Sequence, residues 1–157
     1  MTAMESEEID PGRGLEREIT LMARHTTLVT KRWLEQQALD RSAYLLLYRL
    51  EISEPMTLKE LADSFGLDVS TVNRQTAALV RQGLAERIPD PLGGTARRLR
   101  PTDAGLRALR SDRERNVEGI NSLVADWDER DRRDLVTLLR RLNEQIEERQ
   151  GLSWPRD

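Results

Sequence analysis

The chain has 157 residues, 34% of them charged and only 4% aromatic, with a formal net charge of −3. That size and composition suit one compact lobe with helical extensions and a solvated surface, and argue against a large β core. With no cysteine and His25 as the single histidine, thiol sensing and a zinc cluster are excluded.

Nor does the sequence hold a nucleophile-and-base constellation, a glycine-rich phosphate loop or a dinucleotide fingerprint, so neither an enzyme nor a cofactor is expected. The opening MTAMESEEID is acidic and reads as a frayed tail. It lacks a basic and then apolar signal, and no apolar run reaches bilayer length, so the expected location is the cytoplasm, with no membrane partner. Leu15, Ile19, Met22, Thr26, Val29 and Trp33 then recur at spacings of four and three, which predicts an amphipathic N-terminal helix. Asp40-Arg41-Ser42 opens a second helix rich in Tyr44, Leu45, Leu46, Leu47, Tyr48, Leu50 and Ile52, closed off by Pro55. It is apolar nearly all round and should be central to the fold.

The stretch MTLKELADSFG from Met56 places Thr57 before an apolar-periodic run and Glu60 three residues on, a capping box. Leu58, Leu61, Ala62 and Phe65 share one face of the predicted short helix, and Gly66 supplies a left-handed stop. Asp68 is placed to N-cap the next helix, Val69 to Gln82, which ends before Gly83. Val72, Thr76 and Leu79 should be buried, Thr76 with its hydroxyl bonded to the preceding turn. Ser70, Thr71, Asn73, Arg74 and Ala77 are left facing outward, and Gln75 adds a further amide. Small hydroxyls, amides and an arginine near a helix N-terminus are the chemistry that major-groove edges and phosphates require.

In Leu84 to Thr102 two extended runs flank PDPLGG, a hairpin with Gly93-Gly94 at its tip. With Leu99 inward, alternation sends Arg98 and Arg100 to the other side and leaves Arg97 near the tip. Between Val69 and Arg100 six arginines stand against Glu86 and Asp90, a local +4 on an acidic chain. Such a patch is the electrostatic footprint of phosphate binding. Thr102 caps a long helix carrying Leu106, Leu109, Val117, Ile120, Val124 and Trp127. Asp126 with Glu129 reads as a capping box for a last helix with Leu135, Leu138, Leu139, Leu142 and Ile146. These stripes exceed what one lobe can cover, so a second copy of the chain is an expected partner. Trp33, Trp127 and Trp154 read as packing or dimer residues.

LKELADSFGLDVSTVNRQTAALVRQGLAERIPDP followed by RRLRPTDAG resembles the MarR family of transcriptional regulators, and the resemblance extends over nearly the whole chain. It implies that the Val69–Gln82 helix enters the major groove and the wing the adjacent minor groove. It also implies that the terminal helices intertwine as a two-fold dimer, whose recognition helices stand about 34 Å apart on a palindromic operator. An effector cleft is implied near Met22, His25, Val29, Tyr44 and Tyr48. One departure stands out. The family's wing tip carries an aspartate and an arginine two residues apart, where this chain has Gly93 and Thr95, leaving Arg97 or Arg98 to stand in.

The expected fold is thus mainly α with a small β wing. A tail and dimerisation helix (1–38) precede a winged helix-turn-helix lobe (39–101), and a long helix and C-terminal dimerisation helix follow (102–157). The expected partner is double-stranded DNA, contacted through Lys59, Ser70, Thr71, Asn73, Arg74, Gln75, Arg97 and Arg98. The leading reading is a homodimeric repressor released by a small aromatic or amphipathic organic effector. A ligand-independent repressor or activator, and a protein-interaction module of the same fold, remain as alternatives.

Overall fold

A computed structural model describes residues 10–34, 38–91 and 93–156, with the side chains of 25–34 outside the description. Residues 1–37 and 38–157 are two separate units. The first holds α1 (Pro11–Leu34), where Pro11 begins the helix and the Asp10 carboxylate accepts the Arg13 N–H at 3.0 Å. Leu15, Ile19 and Met22 are exposed on it.

The second unit runs α2 (Arg41–Glu51), β1 (Met56–Thr57), α3 (Leu58–Phe65), α4 (Val69–Arg81), β2 (Ala85–Pro89), β3 (Arg97–Pro101), α5 (Asp103–Leu123) and α6 (Glu129–Gln150). The sheet is antiparallel in the order β1-β3-β2. β1 is an addition to the predicted hairpin, pairing Met56 with Leu99 and Thr57 with Arg98. Leu46, Leu47 and Leu50 share the inner face of α2, meeting Leu61 and Ala62 of α3, Val72 and Leu79 of α4, Leu99 of β3 and Leu109 of α5. Each fully buried leucine contributes about 1.5–3 kcal/mol, which is why α2, touching α4, α5 and β3, organises the lobe.

Local signals set most helix ends. The Thr57–Glu60 capping box forms in both directions, and Gly66 stops α3 at φ 62°. Thr76, fully buried, donates its hydroxyl to the Val72 carbonyl at 2.8 Å. Thr102 Oγ1 accepts the Gly105 N–H at 3.1 Å and opens α5. Two caps differ from expectation. Asp68 is the N-cap of α4, but its backbone carbonyl rather than its side chain takes the first-turn N–H groups of Thr71 and Val72. For α6 the cap is Asp128, accepting the Asp131 N–H at 2.7 Å, so the Asp126–Glu129 box does not form. Either aspartate could cap a helix here, and the one adjacent to Glu129 does so.

Past α6 the chain turns at Gly151 and runs back onto the lobe. Leu152 lies against Gly66, where a Cβ would meet its Cδ1 at 3.4 Å. The Trp154 ring stands edge-on to Tyr48 and Phe65, with centroids 5.7 and 5.4 Å away, and the Arg49 guanidinium lies 5.6 Å from its centre. Glu147 holds the return, accepting the Trp154 N–H at 3.2 Å and pairing with Arg156, which lowers the Glu147 pKa. Trp154→Ala is expected to destabilise the chain by about 1–3 kcal/mol, less than for a fully buried tryptophan because the ring is half-exposed. Urea unfolding measures it, and an unchanged midpoint would mean that the tail carries no stability.

Val117, Ile120 and Leu123 of α5 and Leu135, Val136, Leu138, Leu139 and Ile146 of α6 are exposed apolar side chains. No described helix is long and apolar enough to cross a membrane.

Candidate nucleic-acid interface

The hairpin register sorts the arginines into two sets. Arg87 pairs with Leu99 and Pro89 with Arg97, and side chains directly opposite across an antiparallel pair share a face. Arg87 and Arg97 therefore lie on the Leu99 face, while Arg98 and Arg100 lie with Glu86 and Ile88 on the other. On the Leu99 face a cleft of about 320 Å³ opens between α3, the start of α4 and the wing. Leu58, Val69 and Leu99 line it together with Lys59, Arg87 and Arg97. The apolar floor ends where Leu99 is buried, and beyond it the same face is cationic.

On α4, Ser70, Asn73 and Arg74 are exposed, while Thr71 and Gln75 are half-buried. Asn73 Oδ1 accepts from Arg87 Nη2 at 3.1 Å, joining α4 to β2. Arg87 belongs to the basic patch by charge, and its place on the Leu99 face follows only from the register of β2 with β3. Lys59 is exposed and bonds Asp63 at 2.7 Å, a contact that raises its pKa. Among the described residues Arg74, Arg81 and Arg97 make no ion pair.

Arg98 and Arg100 are neutralised instead. Arg100 Nε pairs with Glu86 at 2.7 Å. Arg98, its side chain 19% exposed, bonds Asp90 Oδ1 at 3.0 Å, the Pro55 carbonyl at 2.9 Å and Glu60 Oε2 at 3.1 Å. Of the two arginines left to stand in at the wing tip, only Arg97 keeps its guanidinium open to solvent.

The implied effector residues fall in both units. Tyr44 and Tyr48 neighbour each other on α2 with centroids 6.3 Å apart, and Tyr48 is flanked by Trp154 and by Arg113, whose guanidinium lies 4.8 Å from its ring centre. Met22 is exposed on α1, and the side chains of His25 and Val29 lie outside the described residues.

A capped helix, a tight turn, a second helix with an open polar face, and a three-stranded wing beside it define a winged helix-turn-helix DNA-binding fold. The chain belongs to the MarR family of transcriptional regulators, whose family profile matches residues 39–92. It is 33% identical over 134 residues to the uncharacterized HTH-type transcriptional regulator YxaD of Bacillus subtilis (strain 168), covering 85% of this chain and 94% of that protein. A MarR family protein from Bacillus stearothermophilus superposes with a TM-score of 0.73 at 18% identity, over 87% of this chain and 98% of the other. The PcaV transcriptional regulator of Streptomyces coelicolor, solved with its natural ligand, gives a TM-score of 0.62 at 24% identity over 94% and 100% of the two chains. The family is one of transcriptional regulators, not of enzymes.

Proposed function

We propose that this chain is a homodimeric repressor of a palindromic operator, released by a small aromatic or amphipathic effector. The observation that carries the DNA-binding geometry is the pairing pattern of the arginines. On a chain of net charge −3, Arg74 and Arg97 are exposed without carboxylate partners among the described residues, and Arg97 lines a cleft with Lys59 and Arg87. In this reading α4 lies in the major groove with Ser70, Asn73 and Arg74 toward base edges and phosphates. Thr71 and Gln75 lie at the groove margin, and Lys59 and Arg97 grip the flanking backbone.

The bare apolar faces of α5 and α6 support the dimer, since exposed patches of this kind mark association surfaces. Two recognition helices related by a two-fold axis require a palindrome. The ligand-bound state of PcaV supports an effector here, on the strength of the shared fold.

Fluorescence anisotropy on a duplex selected by the protein from a random pool tests the reading. Arg74→Ala is expected to weaken binding by about 1–3 kcal/mol if the contact is bidentate to a base, and a phosphate contact would lower the salt slope by about one. Equal affinity for selected and scrambled duplexes would overturn it. Release of the duplex by phenolic acids, with a matching rise in thermal stability, tests the effector.

A further inference from the structure

We propose that Arg98 is a positioning residue that fixes the wing against the helix-turn-helix and does not itself touch DNA; this rests on the DNA-binding reading above. Arg98 sits on the central strand β3, on the face turned away from the cleft. Its guanidinium joins three separate pieces of backbone: the turn after β2 through Asp90, the segment before β1 through the Pro55 carbonyl, and the first turn of α3 through Glu60. Glu60 Oε2 also accepts the Thr57 N–H at 2.8 Å, so the wing is tied into the same capping box that starts α3.

The Asp90 end is built as closely. Its backbone carbonyl accepts the Gly93 N–H at 3.0 Å, and Gly94 passes so near that a Cβ there would lie 2.9 Å from Asp90 Oδ2. The turn of the wing is thus wound around the carboxylate that Arg98 holds, with Asp90 only 12% exposed. The hydrogen bond to Asp90 keeps the Arg98 pKa above its ordinary value. Reaching a phosphate would require Arg98 to abandon this carboxylate and leave it poorly solvated, a costly exchange.

Arg98→Gln and Asp90→Asn in the full chain distinguish positioning from contact. On a duplex selected by the wild-type protein, positioning predicts that both variants weaken binding, by at least about fivefold, with the wild-type salt slope retained and the double variant no weaker than the worse single one. Wing amides at 93–97 should exchange faster in both variants without DNA. A direct phosphate contact predicts the reverse pattern: Arg98→Gln lowers the salt slope by about one, and Asp90→Asn, which removes a negative charge near DNA, tightens binding. That pattern, or unchanged wing exchange in Asp90→Asn, would overturn the proposal. Failure of the wild-type protein to select any duplex would overturn the DNA-binding reading itself, and this role with it.

Discussion

Gly105→Ala is expected to destabilise the protein by about 3–5 kcal/mol, although alanine is the better helix former by about 1 kcal/mol. Gly105 lies in the first turn of α5, where a Cβ would stand 2.0 Å from the Leu84 carbonyl oxygen, 2.9 Å from its carbon and 3.3 Å from Leu47 Cδ2. The obstructing atoms are mostly backbone and cannot rotate away. Relief requires α5 to retreat from the start of β2, and that retreat breaks the bond from the Thr102 N–H to the Leu84 carbonyl at 3.0 Å. The steric cost therefore outweighs the propensity gain. Thermal unfolding followed by circular dichroism should show a fall of roughly 10 °C or more. A variant melting with the wild-type protein would show that the first turn of α5 is not seated on Leu84.

Asp112→Ala should cost a comparable amount, about 3–5 kcal/mol. The Asp112 carboxylate is fully buried on α5, accepting the Ala38 N–H at 3.1 Å and the Leu39 N–H at 2.9 Å, with Arg115 Nη2 at 2.6 Å. Alanine would leave two backbone donors and a guanidinium without their acceptor, and would free Leu39 from its place in the core. Asp112→Asn keeps one acceptor oxygen but turns an N–H₂ toward a donor, so it should recover only part of the loss. Chemical denaturation of both variants checks the order. A loss below about 1 kcal/mol for alanine would mean that water takes over the carboxylate's role.

Much of the helix-turn-helix was legible because its signals are local. Thr57 with Glu60, Gly66, and Thr102 before Asp103 each act within one helical turn, and the buried trio Val72, Thr76 and Leu79 follows from helical period alone. Signals failed where two local choices were equivalent or where partners lie far apart in sequence. Asp126 and Asp128 offer similar chemistry, and only the folded path of the chain chooses between them. β1 is two residues long, too short for a period to show. Alternation put Arg98 opposite Leu99, but not the fact that Asp90, Pro55 and Glu60 wait on that side. Trp154 reads as a packing residue, yet its partners Tyr48 on α2 and Phe65 on α3 lie far upstream in the chain.

The seating of α5 also has a mechanical meaning. Thr102 Oγ1 donates to the Gly83 carbonyl at 2.6 Å while its N–H bonds Leu84, and both acceptors lie just past the exit of α4. With Gly105 pressed on the same point, α5 is a lever whose fulcrum is bolted to the end of the helix proposed to read DNA. Its 21 residues make an arm of about 31 Å, so a swing of about 5° at the fulcrum carries the far end through about 3 Å. That far end bears the exposed Val117, Ile120 and Leu123, the handle on which the partner of the proposed dimer would pull.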